Sequence, residues 1–167
     1  MDDNSVEVRS VDVASTREYA RILAEFLQPG AALCLDGELG AGKTCFVDGL
    51  ADALGAPEGA NSPTFALENR YPLKREGIPE LLHMDLYRSG DQVGEDLIGS
   101  ALEARAAASI VAVEWPQAIA AHLVPYLSIS FALSGDARTI RLSPIPAGWR
   151  PFETLLERWR QHEALST

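Results

Sequence analysis

The sequence predicts an α/β fold: a mixed, mostly parallel sheet flanked by helices, with an antiparallel C-terminal hairpin. Three observations carry this. Ala31 to Leu35 and Ser109 to Val113 are short, continuously apolar runs, the pattern of strands covered on both faces as in a parallel sheet. Segments of helical periodicity are interspersed with them, which places helices against that sheet. Near the C-terminus, Tyr126 to Leu133 and Ala137 to Leu142 alternate in polarity around Ser134-Gly135-Asp136, a hairpin signal.

The remaining elements follow in order. Ser5 to Val13 places Val6, Val8, Val11 and Val13 at alternate positions and reads as an edge strand. Ser15 with Glu18 three residues on has the form of a capping box opening a helix. That helix carries Tyr19, Ile22, Leu23, Phe26 and Leu27 on one face and stops at Pro29-Gly30, so the N-terminal strand and helix span 5–28. A glycine-rich segment, Gly37 to Thr44, leads into a helix over Thr44 to Leu54 with Phe46, Val47, Leu50 and Leu54 inward. Ala60 to Thr64 is turn-like, and Phe65 to Leu73 and Glu80 to Tyr87 read as strands. Gly94 to Ala108 reads as a helix interrupted at Gly99, and Pro116 starts a short helix at the first-turn position proline tolerates. Pro151 to Ala164 forms a last amphipathic helix.

A length of 167 residues suits one domain spanning 1–167, with one sizeable core. With 24 acidic against 14 basic residues the formal charge is −10, which disfavours an unassisted grip on nucleic acid or an anionic membrane. Two cysteines, Cys34 and Cys45, exclude a disulfide framework and a cysteine-based zinc site. With no apolar run of membrane-spanning length and no signal-peptide pattern at the acidic N-terminus, a soluble, cytoplasmic protein is expected.

Gly37-Glu38-Leu39-Gly40-Ala41-Gly42-Lys43-Thr44 fits G-x-x-x-x-G-K-[ST] at every fixed position, between an apolar strand and a helix as that motif requires. Glycines let the backbone approach phosphates and turn their amides toward them, at the positive end of the next helix. Lys43 can reach the β- and γ-phosphates of a nucleoside triphosphate, and the Thr44 hydroxyl can hold Mg²⁺.

Such a P-loop needs a second acid at the end of a neighbouring strand. Ser109 to Val113 runs into Glu114, and Leu81-Leu82-His83-Met84 runs into Asp85. The first strand is the more apolar, so Glu114 is assigned to the metal and Asp85 to the attacking water. On residues alone, Asp85 fits a turn cap or a partner of Arg88 equally well, and Glu114 could be a surface carboxylate. Trp115 fits core packing better than a place beside the nucleotide. His83, among apolar residues, fits a satisfied structural histidine better than a base or ligand.

The motifs Gly37 to Thr44, Ser62-Pro63-Thr64-Phe65, His83-Met84-Asp85-Leu86-Tyr87-Arg88 and Glu114-Trp115-Pro116 resemble, in order and spacing, the bacterial TsaE family. These are small ATPases of tRNA threonylcarbamoyladenosine biosynthesis. The likeness runs over roughly residues 15 to 135. It implies a P-loop NTPase domain that binds ATP and Mg²⁺. It also implies a partnership with the TsaB–TsaD heterodimer, which transfers threonylcarbamoyl to the adenosine beside the anticodon of ANN-decoding tRNAs; tRNA would be met only through those partners. Carried over by position, the resemblance implies phosphate contacts from Gly37, Glu38, Leu39, Gly40, Ala41, Gly42 and Lys43. It implies magnesium at Thr44 and Glu114, hydrolysis at Asp85 and a nucleotide-dependent role for Trp115. Ser62, Pro63 and Thr64 look like a switch segment sensing the γ-phosphate. Cys45 stands where the family usually has a second threonine, and a thiol is the weaker donor toward an α-phosphate. No arginine is obviously placed as an internal finger, Arg70 and Arg88 being the nearest, so slow intrinsic hydrolysis is expected. Two rival readings stand: a small-molecule kinase, disfavoured because Gly90 to Ala108 carries only Arg105, and a nucleotide-dependent assembly module with little hydrolysis.

Overall fold

A computed structural model describes residues 5–57, 67–90, 92–146 and 153–166; the expected turn and switch segment at Ser62-Pro63-Thr64 lie outside them. The chain runs β1 (Val6–Ser10), α1 (Val13–Phe26), β2 (Ala32–Gly37), α2 (Lys43–Ala53), β3 (Glu68–Pro72), β4 (Glu80–Asp85), α3 (Glu95–Ala106) and β5 (Ile110–Glu114). Then follow β6 (Tyr126–Ser134), β7 (Ala137–Ile145) and α4 (Glu153–Ser166).

All seven strands form one sheet in the order β1-β7-β6-β2-β5-β4-β3. The central strands β6, β2, β5 and β4 pair in parallel, while β3 and β7 are antiparallel to their neighbours. β1 pairs antiparallel with β7 and so points the same way as the central four. The two apolar runs are therefore central neighbours, β2 and β5, as their lack of alternation requires.

Alternate residues of these strands feed two cores. Leu33, Leu35, Ile110, Ala112 and Leu81 face the layer of α1, α2 and α4, together with Phe46, Leu50 and Trp159. Ala32, Cys34, Val111, Val113, Leu82 and Met84 face α3 and the 3-10 turn Ala120–Leu123. Burial pushes the Cys34 thiol up to about 12, as expected of a cysteine used as a small apolar residue. Among the described residues, no helix is long and apolar enough to cross a membrane.

Several local expectations are corrected. α1 starts earlier than the Ser15–Glu18 pattern suggests: Asp12 is the N-cap, its carboxylate accepting from the Ser15 amide at 2.7 Å. The Ser15 hydroxyl completes the box by accepting from the Asp12 amide at 3.1 Å. Val11 and Val13 thereby leave the first strand, which ends at Ser10, and both are exposed. α3 runs unbroken through Gly99, since a helix tolerates one glycine at a cost of about 1 kcal/mol. Pro116 opens a turn, closed by the Ile119 and Ala120 amides on its carbonyl, before the 3-10 turn rather than a full helix. The hairpin forms with Ser134 opposite Ala137, and Gly135 supplies the positive φ (61°) the two-residue turn needs.

Candidate nucleotide-binding site

The site lies where β2, β4 and β5 end. Register places Leu35 and Asp85 each opposite Glu114, so the phosphate-loop strand and both predicted acids terminate at one level. The loop leaves β2 at Gly37 and enters α2 at Gly42, with φ of 147° at Gly37, 78° at Gly40 and 109° at Gly42. Gly37 also has no room for a side chain, because a Cβ there would stand 2.5 Å from the Phe131 carbonyl oxygen. Asp36 anchors the start of the loop: its carboxylate accepts from the Gly37 amide at 2.9 Å and from Gln117 Nε2 at 2.8 Å.

Lys43 is buried and folds back over the loop, its Nζ donating to the carbonyls of Gly37 (2.6 Å) and Glu38 (2.8 Å). Nζ also sits 4.2 Å from the centre of the Trp115 ring. Burial holds this amine below the ordinary lysine range, against the opposing pull of Glu114, Asp36 and Asp85.

Glu114 is 3% exposed and fully engaged. The Thr44 hydroxyl donates to its two carboxylate oxygens at 2.8 and 3.1 Å, and His83 Nε2 lies 2.8 Å from Oε1. His83 is completely buried on β4, and an ionised carboxylate can only accept, so the histidine N–H is the donor. A hydroxyl and a carboxylate side by side form the hard-oxygen donor pair that Mg²⁺ takes from a protein when phosphates complete its shell. The residues therefore fit the ion assigned to them.

Trp115 follows with φ of +57°, a left-handed backbone that bulky residues avoid at a cost of roughly 1–3 kcal/mol. Its amide donates to the Leu35 carbonyl at 3.1 Å, and the Leu86 amide to the Glu114 carbonyl at 3.1 Å. These bonds pin the strained pair between β2 and β4. The indole packs against Tyr87 with ring centres 4.9 Å apart and planes tilted by 46°, and both rings line the cleft. Asp85 lines it too while its carboxylate caps the next turn by accepting from the Tyr87 amide at 3.1 Å. The two readings of Asp85, turn cap and site residue, are thus compatible.

One cleft gathers Leu39, Gly40, Gly42, Lys43, Thr44, Cys45, Asp85, Glu114 and Trp115 of the predicted set. Cys45 Sγ lies 3.9 Å from the Val13 carbonyl, at the cleft wall. Arg70 is elsewhere: it pairs with Glu80 and Glu68 and donates to Ser100 on the β3 side of the sheet. Sequence reasoning missed three contributors. Asp36 lies beside the phosphate-loop motif without matching a functional pattern of its own, and Tyr87 belongs to the His83-to-Arg88 motif, which carries no separate role for it. Arg138 comes from β7 and carries no local signal. Ser10, Ser15 and Thr16, at the helix start nearest the loop, form a hydroxyl cluster, with 2.6 Å between Ser10 and Thr16.

A glycine-bent loop between a central parallel strand and a helix, with a lysine, a hydroxyl and an acid from the adjacent strand, defines a P-loop NTPase-type fold. The family model for the threonylcarbamoyl adenosine biosynthesis protein TsaE matches residues 10–141. A Bacillus subtilis protein named tRNA threonylcarbamoyladenosine biosynthesis protein TsaE is 35% identical over 159 residues, covering 95% of this chain and 96% of that protein. A Treponema pallidum protein of the same name is 36% identical over 122 residues, 72% of this chain and 87% of its own. The crystal structure of Bacillus subtilis YdiB superposes with a TM-score of 0.69 at 31% identity, covering 95% of each chain. The chain belongs to the TsaE family.

Proposed function

We propose that this protein is a Mg²⁺-dependent ATPase of tRNA threonylcarbamoyladenosine biosynthesis, working on the TsaB–TsaD transferase heterodimer. Family membership supports the pathway, and one observation supports the activity: Lys43, Thr44 and Glu114 converge on the phosphate loop within hydrogen-bonding reach of one another or of its carbonyls. Bound Mg²⁺ would neutralise charge on the transferred phosphate, with Thr44 and Glu114 as its protein oxygens. Lys43 then turns its amine from the Gly37 and Glu38 carbonyls to the phosphates. His83 keeps Glu114 oriented, and Asp85 orders the attacking water from the neighbouring strand end. Trp115 walls the cleft and limits how far the Lys43 amine can wander. The net charge of −10 fits a chain that leaves tRNA to its partners.

The kinase reading loses its remaining cation. Arg105 donates to the carbonyls of Gly30 (2.9 Å), Leu123 (2.5 Å) and Pro125 (3.0 Å), tying the end of α3 to the strand layer. Phosphate release from ATP, measured on the chain alone and with the purified heterodimer, tests the proposal. Slow release alone and a marked acceleration by the heterodimer are expected. A fast isolated rate, or a phosphorylated acceptor in place of free phosphate, would count against it. Modification in cells that persists with Glu114→Ala but fails with Lys43→Ala would favour an assembly module instead.

A further inference from the structure

Among the described residues, Arg138 is the one lining the cleft from outside the recognised motifs and the residue next to them. It is the second residue of β7, opposite Ser10 on β1 and Leu133 on β6. Its side chain leans over Gly42, where a Cβ would stand 3.1 Å from Nε and 3.2 Å from Cδ. The Nε is shut off from solvent without a hydrogen-bond partner, which is costly for a charged donor. Among the described residues Arg17 and Arg21 of α1 and Arg70 of β3 pair with carboxylates, whereas no salt bridge is formed by Arg138. A cation held against the start of α2 also faces the positive end of that helix. A half-buried arginine whose Nε is shut off from solvent without a partner, beside another positive pole, is completed by an anion.

Sheet order says which part of the anion. Glu114 and Asp85 stand on β5 and β4, on one side of β2, whereas Arg138 stands on the β6–β7 side. The reacting end of a nucleotide lies with the two acids and the magnesium-side hydroxyl. Arg138 faces the end that does not react.

Resting on the nucleotide-binding reading above, we propose that Arg138 grips the α-phosphate of the bound nucleotide and so holds ADP as firmly as ATP. It takes up the contact that Cys45, with its weak thiol donor, supplies poorly.

The test is calorimetric titration of ATP and ADP, each with Mg²⁺, into the full chain and into Arg138→Gln, Arg138→Met and Arg138→Lys. Both dissociation constants are expected to rise about tenfold in the Gln and Met variants, by the same factor within about twofold, as loss of one charge-assisted contact predicts. The Lys variant, which keeps the charge but not the fork, is expected to fall between. The Met variant keeps the aliphatic stem over Gly42 and carries the test if the Gln variant misfolds. Unchanged ADP affinity in the variants overturns the proposal, and so does a loss confined to ATP, which would put Arg138 at the transferred phosphate. A wild-type chain that binds neither nucleotide defeats the nucleotide reading itself, a result distinct from either.

Discussion

Replacing Glu114 with glutamine separates what the carboxylate does for the fold from what it does for chemistry. The amide is nearly isosteric. Its oxygen can take the place of Oε1, accepting from His83 and Thr44 at the observed 2.8 Å, and its NH₂ can donate to Thr44 Oγ1 from the 3.1 Å position. Each hydrogen bond loses its charge assistance, about 1 kcal/mol apiece and roughly 2 kcal/mol for the two donors. Against this, a carboxylate buried to 3% exposure carries a desolvation cost of several kcal/mol, of which the polar amide still incurs a part, leaving a gain of about 2 kcal/mol. The two nearly cancel, so stability of the nucleotide-free protein in urea unfolding is expected to stay within about 1 kcal/mol of wild type. Phosphate release with Mg²⁺ has no such compensation. Losing the anionic oxygen on the metal side is expected to slow it roughly 100-fold, about 2.7 kcal/mol of barrier. A variant destabilised by more than about 2 kcal/mol yet hydrolysing ATP at near wild-type rate would make Glu114 a structural residue and refute the assignment.

Three further outcomes follow from the same geometry. Gly37→Ala meets both a positive φ and the Phe131 carbonyl at 2.5 Å and is expected not to fold, whereas Gly40→Ala, with φ 78° but open space around it, is expected to cost about 1 kcal/mol by thermal unfolding. Because φ at Trp115 is +57°, Trp115→Gly is expected to be about 1 kcal/mol more stable than Trp115→Ala, the reverse of the usual order, in parallel urea titrations. Lys43, held below the ordinary lysine range by burial, binds fewer protons folded than unfolded between its folded and unfolded pKa values. Wild-type stability therefore rises through that alkaline window, and any advantage of Lys43→Met at pH 7 is expected to shrink as pH approaches the unfolded lysine value, read from urea midpoints across the range.

Where physics acts over a few residues, the sequence was readable. The apolar runs of β2 and β5 and the inward face Phe46, Val47, Leu50 and Leu54 of α2 lie where periodicity puts them, because a strand buried on both faces has no alternative pattern. The places of the phosphate loop and of both acids at strand ends were legible too, because an apolar run that stops at a glycine or a carboxylate marks where a strand leaves the core. The start of α1 was misplaced because Asp12 and Ser15 form the same reciprocal cap that Ser15 and Glu18 imitate, and only backbone geometry separates them. The engagement of His83 with Glu114 spans 31 residues across two strands and follows from parallel register, which no local pattern encodes. Arg138 reaches the loop from a strand two places along the sheet from β2, so its role depends on strand order, a property of the whole chain.

β1 has a bearing on how this protein is made. Among the described strands it pairs only with β7, so Val6 finds Leu142 and Ser10 finds Arg138 only once those late residues exist. Trp159, from α4, packs on Tyr19 of α1 at 5.2 Å and on Phe46 of the phosphate-loop helix at 6.3 Å. During synthesis the loop Gly37–Thr44 leaves the ribosome long before the pieces that brace it. A nascent chain therefore carries the phosphate-loop motif before the strand and helix that brace it have been made.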